Sequence, residues 1–138
     1  MSDINDEKDL TEESRERFAG DIFATQTTGI QIEKAGKLYA KCTLDIEPKH
    51  LNANHTVMGG AIFTLADFTV AVAVNNSGTS TVSLNNFIQF LGVAKGKRLI
   101  AETECIKAGR STVVVNVDIH DDLGSHVARM QATGFRLS

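Results

Sequence analysis

The chain has 138 residues with a single proline; 42% of them are hydrophobic and 22% are charged. This composition is typical of one globular domain and excludes a wholly disordered or fibrous chain. The formal net charge is −3 and the isoelectric point is near 5.8. Those values argue against a dedicated binder of nucleic acid or of anionic membranes, because either would need a basic surface.

The N-terminus is acidic: residues 1–17 hold seven acids and three bases, so the rest of the chain is nearly neutral. It lacks the apolar segment of a secretory signal, and Cys42 and Cys105 are too far apart for a paired-ligand motif. We therefore expect a cytoplasmic protein without a metal site. Residues 1–9 are predicted to be a flexible acidic tail and residues 10–138 a single domain.

A short helix and a hairpin are predicted at the start of this domain. The helix is amphipathic, and Thr11 is its expected cap. Alternating apolar residues then predict strands at residues 30–33 and 38–46, joined by a turn at residues 34–37.

The longest apolar run, residues 57–74, is predicted to be a helix enclosed on all sides by other structure. Its length is close to that of a membrane span. We reject a span because Asp67 would lie near the bilayer centre, because Lys and Arg anchors are missing and because Gly59 and Gly60 open the run.

Four strands are predicted after this helix, at residues 81–91, 98–107, 111–120 and 125–137. Consecutive strands joined by short turns pair in antiparallel fashion. The order of elements therefore predicts an α+β domain with a six-stranded antiparallel sheet wrapped around one central helix. The open face or edge of such a sheet favours a dimer or a larger assembly.

Two features of the central helix point to chemistry on a carbonyl group. Gly59 and Gly60 open the helix, where unpaired N–H groups carry partial positive charge and a carbonyl oxygen can approach closely. The same glycines could instead serve close packing of the helix on the sheet. Asp67 lies within an apolar helix, so it either has a function or faces solvent, since an unpaired buried carboxylate is costly.

Gly59 and Asp67 are eight residues apart in the sequence, which is about 12 Å along a helix. A base and an oxyanion donor must both lie within a few ångströms of the carbonyl on which they act. One helix cannot satisfy both requirements, whereas two antiparallel copies can. The hypothesis therefore predicts a symmetric dimer with two sites across its interface.

Three spaced motifs resemble those of the hotdog-fold acyl-CoA thioesterases, and of their phenylacetic acid degradation protein-like group in particular: His50-x-Asn52, Gly59-Gly60 and Leu65-Ala66-Asp67. The resemblance extends from about residue 15 to the C-terminus. It implies a hotdog fold with a short N-terminal helix, and a cytoplasmic homodimer or dimer of dimers. The implied reaction converts acyl-CoA and water to free acid and CoA without a cofactor.

The resemblance assigns roles to single residues. Asp67 takes the position of the carboxylate that acts as general base or as nucleophile. Gly59, with Gly60 beside it, takes the position whose N–H polarises the thioester carbonyl. Asn52 matches an asparagine that positions the carbonyl or the water, and Ser83 matches a polar residue that orients the attacking group.

The nucleotide end of CoA is anionic, which favours lysine and arginine at the mouth of the cleft. One candidate loop carries Lys95, Lys97 and Arg98, and another carries Arg110 followed by Ser111. The second loop matches the family pattern and is preferred, although basic loops are often only solvated turns.

Two departures from the family pattern keep an alternative open. Met58 stands where the family has histidine, and His55 stands where a glycine is common. These changes favour a non-catalytic acyl-CoA-binding or sensor protein as the second hypothesis. A hotdog hydratase ranks third, because it would need a histidine paired with Asp67.

Overall fold

The computed structural model describes residues 8–78 and 80–137. Most of the tail expected at residues 1–9 lies outside these ranges, so the tail stays a prediction. The described elements follow one another in this order: α1 (Thr11–Phe18), a π-helix (Phe23–Thr28), β1 (Gln31–Gly36), β2 (Tyr39–Asp45), a 3-10 helix (Pro48–His50), α2 (Gly59–Val74), β3 (Thr81–Phe90), β4 (Arg98–Ala108), β5 (Thr112–Asp121) and β6 (His126–Arg136).

The predicted cap of α1 is wrong. Thr11 is the first helical residue, and Leu10, which occupies the cap position, makes no side-chain capping bond. The carboxylate of Asp9 instead accepts hydrogen bonds from the backbone N–H and the hydroxyl of Thr11, at 2.9 and 2.6 Å. The Thr11 hydroxyl in turn accepts a bond from Ala35 N at 3.0 Å, which ties α1 to β1.

The turn predicted at residues 34–37 is also misplaced. β1 continues to Gly36, with Lys34 paired opposite Lys41, because an irregularity after Ile32 restores the register. The reversal falls instead at Leu38, whose φ is +56°.

All neighbouring strands are antiparallel, and the strand order is β1-β2-β4-β5-β6-β3. The six-stranded sheet is therefore confirmed. The expectation that consecutive strands pair fails once, because β3 pairs with β6 and a loop at residues 91–97 carries the chain across to β4. This topology leaves β1 and β3 as the two edges of the sheet.

The helix α2 packs against the sheet through buried residues such as Leu65, Phe68 and Val72. Its opposite face remains open, since Gly60 and Asp67 are exposed. The prediction of a helix enclosed on all sides is therefore wrong for one chain, because the sheet covers only one face. Among the described helices, none is long and apolar enough to cross a membrane.

Asp121 ties the loop at residues 91–97 to the turn between β5 and β6. Its buried carboxylate accepts hydrogen bonds from four backbone N–H groups at 2.7–3.0 Å, which belong to Lys95, Gly96, Leu123 and Ser125. Burial alone would raise the pKa of Asp121, but these bonds outweigh it and lower the pKa to about 2.

We expect the Asp121→Asn substitution to lower the free energy of unfolding by about 2 kcal/mol near neutral pH, because backbone donors lose a charged acceptor. The native pKa of about 2 lies below the ordinary value of 3.8. The stabilisation is therefore complete above the ordinary value and is lost as the pH falls toward the native one. Urea unfolding at several pH values measures this, and equal stability of both proteins at neutral pH would contradict it.

Candidate active site

Asp67 lies on the open face of α2, and its side chain is exposed in the single chain. Among the described residues, none donates a hydrogen bond to its carboxylate or forms an ion pair with it. Partial desolvation raises the pKa of Asp67, and the carboxylate of Asp21 raises it further. An unpaired carboxylate with a raised pKa has the properties of a general base.

The segment that carries Asp21 is held near Asp67 by an aromatic contact. Phe18, the last residue of α1, packs edge-on against Phe68 of α2, with ring centroids 5.8 Å apart at 84°. The chain turns directly after Phe18, and the backbone N–H of Asp21 donates a hydrogen bond to the Phe18 carbonyl at 3.0 Å.

Asp67 shares an apolar cleft with Ser83. The cleft lies between α2, the first residues of β3 and β5, and the last residues of β6. It is partly open to solvent, and its cavity has a volume of about 60 Å³. A register shift after Ser83 interrupts the pairing of β3 with β6. The Ser83 hydroxyl accepts a bond from Asn86 Nδ2 at 3.2 Å, which leaves its own proton available for donation. The structure therefore brings these two predicted site residues together.

Gly59 and Gly60 open α2, as predicted. Met58 precedes them in an extended conformation, and its carbonyl accepts bonds from the first helical turn at Ala61 and Ile62. Within the described part of the chain, the N–H groups of Gly59 and Gly60 have no acceptor. They are among the orphan donors that every helix start presents.

Close packing also requires a small residue at position 59. A Cβ built on Gly59 would lie 3.2 Å from Cζ of Phe90, in a second cleft at the N-terminal end of α2. Asp67 lies in the middle of this helix. This contact supports the close-packing interpretation of Gly59, and its role toward an oxyanion stays a prediction. Gly59 and Asp67 line different clefts of one chain, so a single chain does not bring them together.

Asn52 shapes the loop that leads into α2. Its Oδ1 accepts bonds from the backbone of Asn54 and Thr56 at 2.9 and 3.2 Å, and its Nδ2 donates to the Thr56 hydroxyl at 3.0 Å. The catalytic role implied by the resemblance stays a prediction, because these contacts are local to the loop. His55, which replaces a common glycine, lies in this loop with a φ of +62°.

His50 has a structural role that its place in the His50-x-Asn52 motif did not predict. Its ring is buried, accepts a bond from Glu47 N at 2.9 Å and donates to the Thr28 carbonyl at 2.7 Å. Its own carbonyl accepts from Met58 N at 2.8 Å, so His50 fixes the backbone just before Gly59.

The two predicted basic loops lie at opposite ends of β4. Arg110 and Ser111 are exposed in the turn after this strand, at the end where the Asp67 cleft lies. Lys95 and Arg98 lie at the other end, near the Gly59 cleft, and Arg98 Nε pairs with Asp45 at 2.8 Å. Eleven residues of β4 separate the loops, which is about 35 Å of extended strand.

Comparisons with known proteins decide the family. Residues 54–128 match the model of the thioesterase superfamily. The chain belongs to the thioesterase superfamily. The described topology, with a central helix against a six-stranded antiparallel sheet, is the hotdog fold that the sequence resemblance implied.

Curated relatives and a solved structure are similar over most of the chain. The acyl-coenzyme A thioesterase PaaI of Escherichia coli is 30% identical over 111 residues, which cover 79% of each protein. A putative esterase of Archaeoglobus fulgidus is 29% identical over 72% of this chain, and the match spans 66% of the relative. A hypothetical thioesterase of Streptococcus pneumoniae, solved with coenzyme A, superposes with a TM-score of 0.81 at 28% identity and covers 90% of this chain and 97% of that one.

Proposed function

We propose that this thioesterase-superfamily chain hydrolyses an acyl-CoA thioester to a free acid and CoA. The observation that carries the proposal is the unpaired Asp67 carboxylate, with its raised pKa, in one apolar cleft with Ser83. The name of the E. coli relative and the coenzyme A in the S. pneumoniae structure support acyl-CoA as the substrate class.

In this proposal, Asp67 takes a proton from water as the water adds to the thioester carbonyl carbon, or it attacks that carbon itself. The Gly59 N–H stabilises the oxyanion, and the Gly60 N–H lies beside it. In the general-base route, collapse of the intermediate breaks the C–S bond, and the sulfur leaves with the proton from Asp67 as CoA thiol. In the nucleophilic route, the same bond breaks as CoA thiolate leaves and an anhydride forms between the acyl group and Asp67. Water then hydrolyses this anhydride to the free acid and the Asp67 carboxylate, and the remaining proton of the water goes to the thiolate. Neither a metal nor a further cofactor takes part, since CoA belongs to the substrate.

We place the complete site across two chains. The open face of α2 and the unpaired edge of β3, with Val82, Leu84, Phe87 and Phe90 exposed, offer a second copy an apolar surface and free strand hydrogen bonds. Antiparallel packing of two α2 helices would set Gly59 of one copy opposite Asp67 of the other. A cytoplasmic homodimer, paired into a dimer of dimers, is the assembly we propose.

The same arrangement suggests where the CoA nucleotide binds. Arg110 and Ser111 are exposed at the end of the sheet nearest the Asp67 cleft. The Gly59 end of the second copy would bring its Lys95 toward that cleft. Arg98 is engaged with Asp45, so we rank it below the other basic candidates.

A non-catalytic acyl-CoA-binding protein is the alternative, and one observation favours it. Met58, which replaces the family histidine, is exposed at the start of α2 and offers no strong hydrogen bond there. A hydratase has less support, because no described histidine lines the Asp67 cleft.

Thiol release separates the first two functions. We expect the purified protein to release CoA thiol and free acid from acyl-CoA in equal amounts, detected with a thiol reagent and by chromatography. Saturable acyl-CoA binding without thiol release would favour the binding protein and would contradict the proposed reaction.

A further inference from the structure

The interior of the Asp67 cleft is small and aliphatic. One stripe of α2, with Asp67, Val70, Ala71 and Val74, forms one side of the cleft. Its members lie one helical turn apart, so the stripe extends about 10 Å from the carboxylate. Among the described residues, no aromatic side chain lines this cleft, and the facing strands contribute mainly valine and small residues.

Asn75 and Thr81 lie at the far end of this stripe. Asn75 Oδ1 accepts a bond from Thr81 N at 2.7 Å, and Asn75 Nδ2 donates to the carbonyls of Ala71 and Thr81 at 3.0 and 3.3 Å. The Thr81 hydroxyl donates to the Val74 carbonyl at 3.2 Å. These groups bond to one another, so an acyl chain that reaches this end meets polar groups that already have hydrogen-bond partners.

Gly134 shows how tightly the side of the cleft is packed. A Cβ at this position would lie 2.7 Å from Thr81 Cγ2 and 3.3 Å from Val113 Cγ1. A side chain at position 134 would therefore clash with its neighbours, and glycine keeps this side of the cleft closely packed.

In the single chain, the cavity has a volume of about 60 Å³. At ~10–15 Å³ for each water-sized group, it takes about four to six such groups. We infer that the substrates are short aliphatic acyl-CoA esters, with acyl groups of about four to six carbons filling this cavity. The inference rests on the proposed thioesterase function and adds the acyl class, excluding long-chain and arylacetyl esters.

Two reciprocal substitutions on α2 test the inference. Ala71→Val narrows the cavity and is expected to move the optimum of kcat/KM to shorter acyl groups, with a loss of about tenfold for hexanoyl-CoA. Val70→Ala widens the cavity and is expected to move the optimum to longer groups. The matched control is Ala19→Val, because Ala19 is exposed at the end of α1 and does not line the cleft.

The measurement is kcat/KM for CoA release from acetyl-, butyryl-, hexanoyl-, decanoyl-, palmitoyl- and phenylacetyl-CoA, with thermal unfolding of each variant. We expect the wild type and the control to be most active with butyryl- or hexanoyl-CoA. They should be at least about tenfold less active with decanoyl- or phenylacetyl-CoA. Opposite shifts of the two α2 variants support the inference.

Thiol release distinguishes a wrong acyl class from a wrong thioesterase function. If thiol is released fastest from decanoyl-, palmitoyl- or phenylacetyl-CoA, the acyl class is wrong and the thioesterase function stands. If no ester releases thiol, the function fails, and calorimetric affinities for the same esters then test the cavity alone. Tighter binding of palmitoyl- than of hexanoyl-CoA would overturn the inference in that case too.

Discussion

Replacing Asp67 with asparagine is expected to lower kcat for acyl-CoA hydrolysis by about 10²–10⁴-fold. Asparagine has nearly the same shape but can neither take a proton from water nor attack the thioester. The side chain is exposed and makes no described hydrogen bond, so thermal unfolding should stay close to that of the wild type. Wild-type turnover in the variant would contradict the assignment.

The pH profile adds an independent test of this residue. Because the base must be ionised, kcat/KM should fall as the pH drops through the raised pKa of Asp67. Removing the neighbouring charge by Asp21→Asn should lower that pKa and move the acid limb to lower pH. The desolvation remains, so we expect only a partial shift. A limb that Asp21→Asn leaves in place would contradict the contribution of the Asp21 charge to this pKa.

Replacing Gly59 with proline is expected to lower kcat by about 10²–10³-fold, because it removes the N–H assigned to the oxyanion. Proline is well suited to the first position of a helix, and the residue before it must be extended. Met58 already has this conformation, with φ −65° and ψ 138°. The substitution should therefore remove one hydrogen-bond donor while leaving α2 in place.

Gly59→Ala is the matched control for this prediction. It adds a Cβ near Phe90, as proline does, but it keeps the N–H. The Phe90 ring is exposed and can give way by a few tenths of an ångström. We expect the alanine variant to retain most of its kcat in steady-state thiol release. Equal losses in both variants would show that crowding against Phe90, rather than the donor, causes the effect.

The spacing of hydrophobic residues along the sequence predicted most of the helices and strands. The central helix was predicted from the apolar run at residues 57–74, with Gly59 and Gly60 at its opening, and the observed helix begins at Gly59 and ends at Val74. Errors came where a local signal competed with pairing to a distant strand. Residues 34–36 look like part of a turn in the sequence, but the bonds to β2 and to Thr11 hold them in β1, and the turn falls at residues 37 and 38. The partner of β3 depends on packing around α2, which short-range pattern does not encode.

The candidate site was only partly predictable for a related reason. The sequence placed Asp67 and Ser83 in one site, and the cleft unites them. It could not show that Arg98 is paired with Asp45, because folding brings this partner from a distant strand. The hydrogen bonds of the Asn52 side chain are to Asn54 and Thr56 in its own loop, and the motif alone did not predict them. The open face of α2 follows from a sheet that covers only one side of the helix.

Thiol release by a mixed dimer shows directly whether one active site takes residues from two chains. One chain would carry Gly59→Pro and the other Asp67→Asn, each with its own affinity tag so that the mixed species can be purified. If each site takes Gly59 from one chain and Asp67 from the other, one site has both substitutions and the other has neither. We predict about half of the wild-type kcat per mixed dimer, while each parent stays nearly inactive. A mixed dimer as inactive as its parents would contradict a site shared between chains.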